Sequence, residues 1–197
     1  MSEKSIYSKP ILTTEFRLCF PALFSPKTFK VSDKPKFMMQ MLFKPNDPFL
    51  AKLKAEALIV LKEKFKDIKS FQNLTSWPTQ LPVGFWNPFR VADETPSMEK
   101  YTSHAGHIVI SAKSALQPIV IDQNKQEILD EKQIYSGCYC RALVTVSAYK
   151  SKEGGAGITI YFSSVQKLRD GEPLSGLDKE KEMSAFDVVP MDNEIYN

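Results

Sequence analysis

The chain has 197 residues, a hydrophobic fraction of 43%, a charged fraction of 25% and a net charge of +3. This is enough for one well-buried domain of ordinary globular composition, with no apolar run near the roughly 18 residues that span a bilayer. The opening MSEKSIYSKP lacks the apolar stretch of a secretory signal, so the protein is expected to stay where it is made, with no membrane partner.

Residues 1–10 are polar and read as a mobile terminus, with one domain expected over 11–177 and a separate tail over 178–197. ILTTEFRLCF (11–20) reads as a strand halted by Pro21, and Pro26 with KTFKVSDKPK reads as a basic loop. FMMQMLFK (37–44) is apolar on both faces apart from Gln40 and Lys44, which predicts a central strand. Asp47 suits a helix N-cap and Pro48 the first helical position, where its missing N–H costs nothing. Phe49, Leu50, Leu53, Ala57, Val60, Leu61, Phe65 and Ile68 recur at helical spacing, so the helix is predicted to run to about Ser70.

Residues 71–100 hold both tryptophans and Pro78, Pro82, Pro88 and Pro96, the mark of an irregular segment. GHIVISAKS (106–114) alternates as a strand, PIVID (118–122) is a shorter one, and NKQEILDEKQ is a polar connection. From Tyr135 the pattern is the sharpest in the chain. Cys138, Cys140, Ala142, Val144, Val146 and Ala148 share one strand face, small and apolar; Tyr139, Arg141, Leu143, Thr145, Ser147 and Tyr149 share the other. GGAG (154–157) is a hairpin turn, GITIYFSSVQKL (157–168) is the last strand, and RDGEPLSG is a turn that ends the folded body. About six short strands and one helix between the second and third favour a closed or partly closed β-barrel.

The three cysteines are read as reduced, buried thiols: Cys138 and Cys140 lie about 7 Å apart along one strand face, too far for relaxed disulfide geometry. The C-x-C of Cys138 and Cys140 and the H-x-x-H of His104 and His107 do not match zinc-knuckle spacing. GGAG precedes a strand and lacks the lysine and hydroxyl of a phosphate-binding loop. Asp93, Glu94, Asp122, Asp130, Glu131 and Asp170 carry no spacing signature of a two-metal nuclease, and surface or turn roles are their default. No G-x-S-x-G or activated nucleophile is present.

Aromatic and basic residues interleave instead. Tyr139, Arg141 and Tyr149 share a strand face; Lys27, Lys30, Lys34 and Lys36 crowd one loop; Trp86 and Arg90 lie four apart; Tyr161 and Lys167 are read as sharing a face of the last strand. Rings stack on bases of any sequence, and cations supply a salt-dependent phosphate attraction. The competing reading of each ring is core packing, and most of the 13 phenylalanines must be core. The last twenty residues carry six acids against two lysines, a balance of −4 that leaves +7 on the rest of the chain. A basic body with an acidic tail is a sign of a nucleic-acid binder, and lysine-rich solvated faces are its bland alternative.

The run NPFRVADE, GHIVISAKS, QPIVID, IYSGCYCRALVTVSAY and SSVQKLRDGEPLSG resembles the phage-encoded single-stranded DNA-binding proteins, and with RLCFPALF the resemblance spans roughly residues 11–177. It implies an OB-fold, a Greek-key barrel that binds single-stranded DNA without sequence preference, with no catalysis, metal or nucleotide cofactor. It also implies action in phage DNA replication or recombination in the host cytoplasm, and an acidic tail that meets phage or host replication proteins. The family resembles in fold the single-stranded DNA-binding proteins of short-tailed coliphages, which carry a terminal phenylalanine; the tail here ends MDNEIYN, with Tyr196 as the nearest equivalent. Gly137 and Gly171 match turn positions of the motif, with Asp170 and Glu172 fixing that turn. The expected DNA-binding residues are Tyr139, Arg141, Tyr149, Tyr161, Lys167, Lys30, Lys34, Lys36, Trp86 and Arg90. The alternatives are a protein-interaction module of a phage assembly, separated by whether single strands are preferred to duplex, and a nuclease, revealed by magnesium-dependent cleavage.

Overall fold

The computed structural model describes residues 6–28, 34–98, 101–151 and 155–174. In chain order these form β1 (Ile6–Tyr7), β2 (Ile11–Leu12), β3 (Phe16–Lys27), β4 (Lys36–Phe43), α1 (Pro48–Lys64), α2 (Lys69–Gln72), β5 (Phe85–Trp86), β6 (Arg90–Val91), β7 (Ile108–Ser114), β8 (Ile119–Ile121), β9 (Tyr139–Lys150) and β10 (Ala156–Arg169).

Five of these strands close on themselves. β3 pairs with β4, β4 with β7, β7 in parallel with β10, β10 with β9, and β9 returns to β3 through Phe16–Cys140 and Arg17–Tyr139. This first–second–third–fifth–fourth order, with its one parallel junction, is the Greek-key barrel of the OB-fold. Closure removes the sheet edge that five strands would otherwise expose.

The alternation read over 138–148 sets the core: Cys138, Cys140, Ala142, Val144, Val146 and Ala148 are all buried. Facing strands add Leu18, Met39, Met41, Ile110, Ile158 and Ile160 to the same cluster. Helix α1 starts as its sequence dictates, Asp47 Oδ1 accepting from the Phe49 N–H at 2.9 Å and from Thr14 Oγ1 at 2.8 Å. Its Phe49, Leu50, Leu53, Ala57, Val60 and Leu61 join the barrel core, burial of each side chain larger than alanine being worth about 1.5–3 kcal/mol.

Several elements differ from the sequence reading, for identifiable reasons. Residues 11–20 are two elements, and Pro21 does not halt the second. Between the Cys19–Gln40 and Ala22–Met38 pairs β3 carries one residue more than β4, so Phe20 and Pro21 form a bulge. A bulge leaves positions outside the ladder, where a residue without an N–H is tolerated. α1 ends at Lys64 because the chain turns to bring Phe65, Phe71 and Phe85 together, with ring centroids 5.5–5.8 Å apart. Gln72 Nε2 donates to the Lys62 and Phe65 carbonyls, satisfying that helix end. Within the expected mobile terminus, Ile6–Tyr7 pair with Ala148–Ser147 of β9. The tail over 178–197 lies outside the described residues.

Candidate nucleic-acid interface

The outward faces of the barrel strands fall into register as rows. One runs Ala22, Met38, Lys113, Tyr161, Thr145, and the next contains Cys19, Gln40 and Ser111. At one end this face is covered: Cys19, Leu42 and Val109 pack beneath Ala92 and Met98 from the turns between β6 and β7, with Leu174 against them. The rest stays open, as a groove of about 740 Å³.

Five cations line the groove, Lys27, Lys34, Lys36, Arg90 and Lys113, and among the described residues no carboxylate does. Phe20, Trp86, Tyr101 and Tyr149 supply rings, while Met38, Gln40, Ser111 and Thr159 lie along its floor. Each feature follows from local structure. Trp86 is held by β5, whose parallel pairing sets Phe85 against Ala156 and Trp86 against Gly157. A Cβ at Gly157 would run into the Trp86 backbone and Cβ, so glycine is what lets the tryptophan sit on the barrel wall. Phe85 anchors this short strand in the aromatic cluster, and Trp86 is left half exposed.

Arg90 arches over the Trp86 ring with its guanidinium carbon 5.3 Å from the centroid, and its Nη2 donates to Ser111 Oγ. Its buried Nε has no hydrogen-bond partner among the described residues, and burial lowers its pKa. Lys113 Nζ lies 5.8 Å above the Tyr161 ring; burial first, and then Lys36, hold its pKa below the ordinary lysine value. Tyr7 packs on Tyr161 with centroids 6.0 Å apart, and burial raises the Tyr161 pKa. Cations gathered and partly desolvated without a carboxylate form a site for an anion, while the interleaved rings offer stacking platforms.

The expected residues divide. Tyr149, Trp86, Arg90, Lys34 and Lys36 meet in the groove, and Tyr161 adjoins it through Lys113. Tyr139 and Arg141 share the strand face of Tyr149, yet roughly 33 Å of strand separates Tyr139 from Tyr149. At that far end the guanidinium of Arg169 sits 3.4 Å over the Tyr139 ring, and Arg141 Nε donates to Gln166 Oε1 at 2.7 Å. The reading that Tyr161 and Lys167 share a face is corrected. An irregularity between Phe162 and Ser164 inserts one residue, so Tyr161 pairs with Thr145 but Lys167 with Cys140, on the opposite face. Lys167 instead donates to the Gln133 carbonyl at 2.8 Å and pairs with Asp170 at 2.7 Å. Lys30 lies outside the described residues.

The sequence reading left Lys113, Ser111, Met38, Phe20 and Tyr7 out of the site. Alternation within GHIVISAKS was a usable signal for Lys113 and Ser111, which share the outward face of β7. Nothing local flags Phe20, whose placement depends on the bulge.

The YSG and RDGEPL motifs build one device at the β3–β9 junction that closes the barrel. Tyr135 Oη lies 2.9 Å from both the Asp170 carboxylate and the Gly171 carbonyl, which share its single O–H donor, and Arg17 Nη2 donates to the Glu172 carbonyl at 2.7 Å. Gly137 has φ 121°, and a Cβ there would strike the Glu172 carbonyl. The nominal metal ligands are not brought together: His104 Nε2 lies 2.9 Å from Gln40 Oε1 on the outer face, while Cys138 and Cys140 lie in the core with their sulfurs 3.7 Å apart. All three cysteines are free and buried. Among the described residues no group of three or more His, Cys, Asp or Glu side chains could hold a metal ion.

A closed OB barrel with a cationic, ring-lined groove open on its outer face is the architecture of a nucleic-acid-binding protein. Comparison with known proteins narrows the class. The profile of the family described as Enterobacter phage Enc34, ssDNA-binding protein, matches residues 9–196. Putative protein p50 of Acyrthosiphon pisum secondary endosymbiont phage 1 is 30% identical over 164 residues, covering 81% of this chain and 83% of the relative. The single-stranded DNA-binding protein of bacteriophage Enc34, solved with ssDNA, superposes with a TM-score of 0.64 at 19% identity over 88% of this chain and 100% of that one. The single-stranded DNA-binding protein gp2.5 of bacteriophage T7 gives a TM-score of 0.61 at 13% identity over 86% and 97%. The chain belongs to the Enc34 single-stranded DNA-binding protein family.

Proposed function

We propose that the chain coats single-stranded DNA without sequence preference during phage DNA replication and recombination in the host cytoplasm, and that the groove is where the strand lies. The observation that carries this reading is the juxtaposition of five cations with exposed rings and no carboxylate among the described lining residues. Phosphates meet Lys27, Lys34, Lys36, Lys113 and Arg90, while bases stack on Trp86, Tyr149 and Tyr161. A single strand can turn its bases into a concave groove, whereas a duplex keeps them paired and presents only its backbone. Binding, removal of hairpins and shielding from nucleases need no reacting group, so the chain acts by occupancy and not by catalysis.

The test is a fluorescence-anisotropy titration of labelled oligo-dT and matched duplex at two salt concentrations. Five phosphate contacts on a single strand predict a log–log salt slope of about −3.5, roughly a hundredfold loss of affinity between about 50 and 200 mM salt. Single-strand binding with that slope and a far weaker duplex supports the reading. Equal affinity for both, or none for either, overturns it and favours a protein-interaction module.

A further inference from the structure

We propose that Phe20 is a base-stacking residue of the groove, held in a strained backbone conformation by the turn at Tyr135–Gly137. The inference rests on the groove being the single-strand path, and adds a residue to it. Phe20 has φ 46°, in the left-handed region that bulky side chains avoid and glycine occupies freely. A buried residue could offset such strain through packing, but Phe20 leaves 40% of its surface exposed. Strain at an exposed ring in a cavity wall is the pattern of a functional position.

The surroundings fix the ring. The Phe20 N–H donates to Ser136 Oγ at 3.0 Å, and the neighbouring turn is tied to β3 by Gly137 N–H to the Leu18 carbonyl at 2.8 Å and Leu18 N–H to the Cys138 carbonyl at 2.9 Å. The side chain meets the edge of Tyr101 at 5.0 Å and stacks at 23° on His104, which is fully buried. A ring with its rotamer already set loses little freedom when a base arrives. Its position also complements the rest of the groove. β5 pairs with β10 on the flank where β7 also pairs, β9 holding the other, so β4 and β7 lie between Phe20 on β3 and Trp86 on β5. The YSG motif thereby has a role on the DNA side of the barrel as well as in its closure.

The test compares oligo-dT affinity and thermal unfolding for the full chain and for Phe20→Gly, Phe20→Leu and Phe20→Tyr. The expected result is a loss of roughly tenfold or more in affinity for Phe20→Gly and Phe20→Leu, with Phe20→Tyr binding as the parent does. Phe20→Gly should keep or raise the melting temperature, because glycine relieves the strain, and a packing residue would lower it. Should Phe20→Gly fail to fold, Phe20→Leu decides, since it keeps apolar bulk and removes only the ring. Parental affinity in Phe20→Leu, or loss in Phe20→Tyr, overturns the proposal. If the parent chain itself does not bind oligo-dT, it is the groove reading that fails.

Discussion

Two tyrosines on one strand face have different tasks, because the strand is long and the barrel curves. Tyr149 lines the groove, while Tyr139 lies under the Arg169 guanidinium beside Gly171, which has no room for a side chain against that ring. Tyr149→Ala is therefore expected to weaken oligo-dT binding about tenfold without lowering the melting temperature, one lost stacking platform being worth about 1–3 kcal/mol. Tyr139→Ala is expected to leave affinity intact and lower the melting temperature, as a cation–π contact and its packing disappear. Anisotropy and thermal unfolding of the two variants check this, and an affinity loss in Tyr139→Ala would count against the groove as the path. Lys113 adds a pH dependence. Its free-state pKa is held below 10.5 by burial and then by Lys36, and a bound phosphate raises it. Binding then takes up a proton in the window between those two values, so affinity should fall as pH rises toward 10.5. Lys113→Arg keeps its charge throughout and should show a smaller fall in anisotropy titrations over the same range.

Among the elements, the β3–β9 junction depends on a glycine for reasons of both angle and space. Gly137 has φ 121° and sits against the Glu172 carbonyl, while its own N–H and carbonyl serve Leu18 and Arg17. Gly137→Ala is expected to cost at least about 2 kcal/mol, read as a lower urea midpoint at unchanged slope. A midpoint equal to the parent's would mean the turn can shift without loss. The same junction shows what the sequence made legible. The alternation of 138–149 gave the core face of β9 outright, and Asp47–Pro48 gave the start of α1, because both signals are local. The bulges at Phe20–Pro21 and after Phe162 were not legible, since an inserted residue is defined only against a partner strand. Each bulge changed the site: one brought Phe20 to the groove, the other turned Lys167 away from Tyr161. Trp86 and Arg90 were found by composition alone; that they meet Lys34, Lys36 and Tyr149 in one groove depends on β5 pairing with β10, a contact some seventy residues apart in the chain.

At the scale of the molecule, charge is divided between a body of +7 and a last segment of −4. The described chain ends at Leu174, whose N–H donates to the Ser136 carbonyl and whose side chain packs on the cluster of Cys19, Leu42 and Val109. Gln40 and Ser111 share the row of Cys19, so Leu174, the last described residue, packs on the barrel face that also carries the groove with its five lysine and arginine charges. A tethered anion acts at an effective concentration in the millimolar range and competes with phosphates for the same cations. Truncation after Leu177 is accordingly expected to tighten oligo-dT binding several-fold at about 50 mM salt. The gain should shrink at about 200 mM, where the Debye length falls below 10 Å and both competitors are screened. Anisotropy titrations of the full and truncated chains at both salt concentrations measure this directly. Equal or weaker binding by the truncated chain at low salt would show that the acidic segment does not compete for the groove.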